Sequence, residues 1–500
     1  MDSVVMTNVA LVAYLAPLSL IFVALMVRLN LLQSVNHVFQ LGRTAAIGSF
    51  VGSLVAGVVV FTSGALVSPL IGIGDVAISI RLDALSIVMM WLVTFLSALL
   101  IQFSRNYLDG DPRQAVFFSR LYLTIGAVLL MLLSGNLWQL VLAWIGMSFA
   151  LHQLLVFYPQ RPRAIRAARK KFIVARTSDV CLIIAAVLIA HAFGTTDIGA
   201  IHASASAALT NGTVSGNVVI AAVLVVFAAA LKSAMFPFHG WLLEVMETPT
   251  PVSALLHAGL LNAGTFLIVR LGDLVFLSSP ALILLIAIGG FTAIFASSAM
   301  ITQSSVKVSL AYSSAAHMGF MLMLCGFGAH SVAIMHLIAH SFYKAHAFLS
   351  SNSVVEYVQN TGSQKLNTVP HPLSLLANLI ASLLVFLTVA TALGVDVAKH
   401  PGETALGVIF VNAVAYLFVK GSTGKAPLAV VRRTTLMAVL VTLAFFALEL
   451  SAAALLGDVV AVFPAPDTLT LIAIVLAVIA FGSVTMLSAL LPALVDHPAW

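Results

Sequence analysis

Runs of about twenty apolar residues recur along the whole 500-residue sequence, and no other feature constrains its fold as strongly. They fall near residues 7–27, 45–65, 84–103, 116–134, 137–157, 172–193, 217–235, 252–271, 280–300, 306–327, 329–351, 372–394, 403–420, 433–456 and 468–490. A helix of that length, rising 1.5 Å per residue, crosses roughly 30 Å of hydrocarbon. In lipid only helices and closed barrels satisfy every backbone hydrogen bond, and the alternating pattern of a barrel is missing. The expected fold is therefore an all-α polytopic membrane protein with about 14–15 transmembrane helices.

Composition closes off the alternatives. Asp, Glu, Lys and Arg make up 8% of the chain, against roughly 25% in soluble domains, and forty charges cannot cover a water-facing exterior of this size. Cys181 and Cys325 lie far apart in apolar runs, so this chain alone builds no thiolate zinc site, iron–sulfur cluster or disulfide framework. There is no Walker-type glycine loop or dinucleotide fingerprint, and we expect no cofactor, metal centre or catalytic residue. The N-terminus has no basic leader region before its first apolar run, so a first span is expected in place of a cleaved signal peptide. The longest polar connections, 195–216 and 353–371, are too short for a separate core, which leaves one transmembrane domain over 1–500.

Basic residues are distributed unevenly. If loops alternate sides, seventeen Lys and Arg fall on the face of the first loop and three on the other. That bias marks the rich face as cytoplasmic and puts the N-terminus outside. The densest cluster, Arg161 to Lys171, reads as a topology signal beside anionic lipid and not as a nucleic-acid site; a docking surface for a cytoplasmic partner is the second reading.

Charges within the apolar runs need a reason, because one at mid-membrane costs about 2.5–3.5 kcal/mol and normally faces the bundle interior. Arg176 and Asp179 stand at i and i+3 on one helix face, as a local ion pair or as part of a pathway. Lys232 precedes Pro237, whose missing N–H interrupts the helix, so an amine that titrates readily sits beside freed carbonyls; an interfacial anchor is the plain alternative. The segment after it carries His239, Glu244, Glu247 and three prolines, which suits irregular backbone lining a cavity, and His257 follows in the next helix. His336, His340 and Lys344 recur every four residues and stack along about 12 Å of one helix face, with His317 on the helix before. A His-x-x-x-His pair is weak evidence for zinc, and the adjacent lysine argues for a proton relay. Glu449 stands alone on its run, as a functional acid or a locally satisfied one.

Leu231-Lys232-Ser233-Ala234-Met235-Phe236-Pro237-Phe238-His239-Gly240-Trp241, followed by Pro249-Thr250-Pro251-Val252-Ser253-Ala254-Leu255-Leu256-His257, resembles the signature of the proton-conducting antiporter-like membrane subunits. That superfamily includes the largest such subunit of respiratory complex I and the multisubunit sodium/proton antiporters. Lys307, Leu310-Ala311-Tyr312-Ser313-Ser314 and the stretch from His336 to Ala345 resemble its later motifs. The resemblance covers roughly residues 80–355 and implies two inverted five-helix repeats containing broken helices, at 111–271 and 272–420, flanked by helices in 1–110 and 421–500.

Within the superfamily the sequence is most similar to the DabB-type membrane subunits of inorganic-carbon accumulation complexes. The Phe-His-Gly-Trp wording resembles theirs, and no lateral helix follows the core before residue 500. Where the complex I relatives have Trp-Glu-Gly, this chain has Trp144-Ile145-Gly146, so Lys232 needs another partner, with Asp179, Glu244 and Glu247 as candidates. The run 372–394 also lacks the ionisable residue that the relatives keep. The resemblance implies a bacterial inner-membrane subunit that conducts H⁺ or Na⁺ inward. Its implied partner is a large peripheral cytoplasmic DabA-like subunit resembling a β-type carbonic anhydrase, which would hold the zinc and hydrate CO₂ to bicarbonate. Lys232 with Asp179 would form the gate, and His257, His317, His336, His340 and Lys344 the axis. Two rivals remain: a subunit of a respiratory or sodium/proton antiporter assembly, and a membrane scaffold with a vestigial polar axis.

Overall fold

The structure, a computed structural model, describes residues 10–73, 76–245, 248–351, 372–394, 401–422, 428–457 and 459–495. Among the described residues, each expected apolar run is mainly helical. The first part comprises α1 (Leu15–Arg28), α2 (Val35–Ser63), α3 (Ala84–Tyr107), α4 (Gln114–Leu132), α5 (Leu137–Leu155), α6 (Pro162–Phe193), α7 (Ile198–Asn211) and α8 (Gly216–Lys232). There follow α9 (Gly240–Glu244), α10 (Thr250–Ala258), α11 (Ala263–Arg270), α12 (Gly272–Phe276), α13 (Ser279–Ile301), α14 (Val306–Gly326) and α15 (His330–Leu349). The last four are α16 (Pro372–Ala392), α17 (Pro401–Ser422), α18 (Leu428–Leu456) and α19 (Thr468–Val495). Among the described residues, eleven helices are long and apolar enough to cross a membrane, counting Thr250–Arg270 as one span.

Two stretches differ from the sequence reading. The polar connection 195–216 is largely the amphipathic helix α7, whose Ile198, Ile201 and Ala205 recur at helical spacing and turn inward. Residues 66–82 hold two small antiparallel pairs, Leu66–Val67 with Arg81–Leu82 and Ile71–Ile73 with Val76–Ile78. A hydropathy window of about 19 residues averages over both features.

The long helices alternate in direction and give the bundle two chemically distinct ends. At one end, Arg28 and Arg120 reach the side chain and carbonyl of Gln153, Arg105 reaches Asn36, and Lys307 donates to Thr250. At the other, Asp83, Asn136, Asp197 and Ser278 cap helix starts with their side-chain oxygens, each satisfying an N–H that the helix leaves free. We call these the basic and acidic ends. The acidic end is tied by Arg270, which donates to Asp83 at 2.5 and 3.1 Å and to Ser86 at 2.7 Å, and by His202 and Ser206 against Asp273 at 2.5 and 3.1 Å.

Small residues let backbones meet where helices cross. A Cβ on Gly289 of α13 would lie 2.6 Å from the Gly319 carbonyl oxygen of α14, so only glycine fits that crossing.

Two interruptions position the interior polar groups. Helix α8 stops at Lys232: Ala234 takes a left-handed φ of 55°, Pro237 has no N–H to continue the ladder, and the freed Phe236 N–H donates to Thr292 of α13 at 3.1 Å. The second break separates α10 from α11 through a short 3-10 turn at Leu260–Asn262, where the Asn262 amide donates to the Ala258 carbonyl at 3.1 Å.

Candidate functional site

The buried polar residues form two groups. The first surrounds Lys232. Ending α8 there turns the side chain onto α5, where Nζ lies 4.3 Å from the Trp144 ring centroid and donates to the Trp144 carbonyl at 3.1 Å and to the Ser148 hydroxyl. The Ser148 carbonyl in turn accepts from Lys171 Nζ at 2.9 Å. Trp144 and Ser148 are one turn apart and flank Ile145, so neutral oxygens and an aromatic face surround the Lys232 amine beside Ile145.

Asp179 belongs to this group without bonding Lys232 directly. It pairs with Arg176 at 2.6 Å, and Arg176 lies 4.0 Å from the Phe149 ring centroid. The Asp179 charge still acts on both Lys232 and Lys171. Ser178 fixes α6 against α8 by donating to the Ala228 carbonyl at 2.9 Å, which sets this spacing. Glu244 pairs instead with Lys170 at the exposed basic end. Glu247 lies outside the described residues.

The second group runs along α15. Lys344 has no exposed surface and donates to the Leu310 carbonyl of α14 at 3.0 Å. His257 of α10 is also fully buried, with its ring stacked 4.4 Å from Phe348, and its neighbour in charge is Lys344. One and two turns toward the acidic end come His340 and His336, and both meet His317 of α14. The His317 and His340 ring centroids are 4.7 Å apart, and His317 Nδ1 lies 2.9 Å from His336 Nε2. Neither ring nitrogen of His257 or His340 has a hydrogen-bond partner in the protein. Lys307 stands apart at the basic end and donates to Thr250 at 3.3 Å.

The space between the groups holds neutral polar atoms. Ser233, next to Lys232, donates to the Leu261 carbonyl at 2.9 Å, and Asn262 donates to Ser341 of α15 at 2.7 Å. The second break therefore links the Lys232 group to the face that carries His340 and Lys344. Sequence reasoning missed Lys171, Ser148 and Asn262 as site residues. Lys171 was counted with the surface cluster, although Ala164, Ala168, Lys171, Ala175, Ser178 and Leu182 lie on one buried helical stripe.

At the acidic end, Asp83 completes the picture outside the spans. Burial pushes its carboxyl up, but the charge and hydrogen bonds of Arg270, together with Arg81 and the Ser86 N–H, outweigh this and hold it well below the usual carboxylate range.

Residues 134–419, more than half of the chain, match the family described as NADH:quinone oxidoreductase/Mrp antiporter, TM. Residues 70–118 match the complex I chain 5 N-terminus. A protein of Halothiobacillus neapolitanus described as probable inorganic carbon transporter subunit DabB2 is 44% identical over 352 residues, 70% of this chain and 63% of that one. The corresponding DabB of Hydrogenovibrio crunogenus is 41% identical over 278 residues, 55% of this chain and 53% of that one. NADH-ubiquinone oxidoreductase chain 5 of Metridium senile is 35% identical over 277 residues, covering 55% and 45%. The chain spans between 52% and 63% of the length of the three DabB relatives. The fold is similar to a chain of the Mrp complex from Dietzia sp. DQ12-45-1b, with a TM-score of 0.63, 22% identity and coverage of 97% of this chain and 57% of that one.

Proposed function

The chain belongs to the NADH:quinone oxidoreductase/Mrp antiporter membrane family, and from that premise we propose that it is the ion-conducting subunit of an inorganic-carbon transport complex. The observation that carries this reading is the pairing of a buried Lys171–Lys232–Asp179 group with a file of Lys344, His340, His317 and His336 in one bundle. Such groups are costly in lipid, and gathering them inside the bundle rather than against the bilayer is what a conducting path requires. The unpartnered nitrogens of His257 and His340 support a hydrated route, because a buried nitrogen left dry costs about 1–3 kcal/mol.

In this reading H⁺ or Na⁺ moves inward down its gradient through two antiporter-like repeats, 111–271 and 272–420, in a bacterial inner membrane with the N-terminus outside. One charge crossing 100 mV releases about 2.3 kcal/mol, enough to shift an equilibrium more than tenfold. The work is delivered to a large cytoplasmic zinc-bearing partner that hydrates CO₂, docked at the basic end where Lys170 meets Glu244. The chain itself transports and does not catalyse. The DabB relatives support the carbon context by their names.

The test is carbon accumulation in a host that depends on this complex. A Lys232→Ala strain is expected to lose growth in air while the complex still assembles, and a zinc-bearing partner is expected to copurify with the wild type. Unchanged growth in air would overturn the assignment. A respiratory or sodium/proton antiporter assembly is the second reading, favoured by the 35% identity to complex I chain 5 proteins; copurification of quinone- or iron–sulfur-bearing subunits would select it.

A further inference from the structure

Glu449 on α18 sits within a span and has no basic partner among the described residues. Two cavities meet at it. One of about 270 Å³, between α15, α17 and α18, is lined by both His336 and Glu449. The other, about 200 Å³, is lined by Glu449, Glu403 and His330 and lies at the acidic end, where α15 and α17 begin. Glu403 is exposed in the first turn of α17 and close enough for its charge to act on Glu449. His330 stands beside this space, fully buried, with its ring held 4.7 Å from Phe276. Asp273 is the charged group facing it.

We infer that Glu449 carries protons between His336 and the acidic end of the bundle, with the exposed Glu403 forming the mouth of the port. The inference rests on the conducting role proposed above and extends it to a defined opening. His336 and Glu449 share one cavity, and Glu449 and Glu403 share the next, so a proton passes from imidazole to carboxylate to the exposed surface through spaces large enough for water. A carboxyl can take a proton from one side and release it to the other without a net change in bonding. The remaining walls are largely apolar, with Phe320, Phe410 and Phe445 among them.

The experiment is proton flux into liposomes containing the complex as purified, driven by a potassium diffusion potential and read by a trapped pH dye. Glu449→Gln should lower the Lys232-dependent flux at least tenfold, and Glu449→Asp should retain about a third or more. Ala453→Cys, in the cavity wall, should make flux sensitive to a membrane-impermeant thiol reagent added at the acidic end only. If the wild type conducts, Lys232→Ala abolishes that flux, and Glu449→Gln conducts like the wild type with Ala453→Cys insensitive, the port is overturned while the pathway stands. If the wild type shows no Lys232-dependent flux, the conducting role fails and the port falls with it.

Discussion

Lys171 and Lys232 converge on one residue, Ser148, whose carbonyl accepts from the first at 2.9 Å and whose hydroxyl accepts from the second. Two lysine side chains, from α6 and α8, therefore meet on α5 beside Ile145. Charge balance comes from Asp179, one helix face away and already paired with Arg176. Two amines, one carboxylate and a hydroxyl between the amines thus share one buried group.

Ser148→Ala removes the hydroxyl and leaves the Lys232 amine with the Trp144 carbonyl and ring alone. An unmet donor in this setting costs about 1–3 kcal/mol. Flux through reconstituted complex is expected to fall roughly tenfold while the elution profile in detergent stays unchanged, and Ser148→Thr is expected to restore most of it.

The proposed path, if it runs in series, passes through the His317–His336 contact at 2.9 Å. His317→Ala and His336→Ala should each lower flux strongly, and the double variant should be no slower than the worse single one, because two breaks in one series cost no more than one. Independent, multiplying losses in a double-mutant cycle would contradict a single file.

Asp83 supplies a pH prediction. Its carboxyl is held well below the ordinary value of about 3.9. A depressed acid contributes stability that is fully present above the unfolded value and is lost as pH falls through the folded one. This group therefore leaves the melting temperature level between pH 8 and 5 and lowers it only in stronger acid. Asp83→Asn strands the buried Arg270 guanidinium and should cost about 3–5 kcal/mol at neutral pH, seen as a lowered melting temperature in detergent.

Gly264 tests how the break at Lys232 is held. A Cβ there would sit 2.2 Å from the Ser233 hydroxyl and 2.6 Å from the Ala229 carbonyl oxygen. Gly264→Ala should destabilise the fold by about 1–3 kcal/mol and shift the end of α8, lowering flux as well. Gly48→Ala, where a Cβ meets nothing within 4 Å, should leave both melting temperature and flux unchanged.

The helices were legible because length and hydropathy alone decide them in lipid, and Lys232, His336, His340 and Lys344 stood out as charges in apolar runs. Helical spacing also grouped the last three correctly on one face, and the Pro237 break was visible in the residue itself. What the chain order hid was partnership across helices. Lys171 reads as one more surface base in the cluster Arg161 to Lys171, whereas its stripe of small neighbours is buried and its amine bonds Ser148 of α5, and the bond between Arg270 and Asp83 joins residues far apart in sequence. Helix α7 was hidden for a different reason: its apolar face is short, and a window sized for spans cannot register it.

The most direct measurement is voltage-driven cation flux through the purified complex in liposomes, wild type against Lys232→Ala, with external H⁺ and Na⁺ varied separately. The account predicts a wild-type flux carried by one of these ions and reduced to the empty-liposome level in the variant. Equal flux in the two proteins, or none in either, would contradict it and leave the buried amines and imidazoles as the interior of a scaffold.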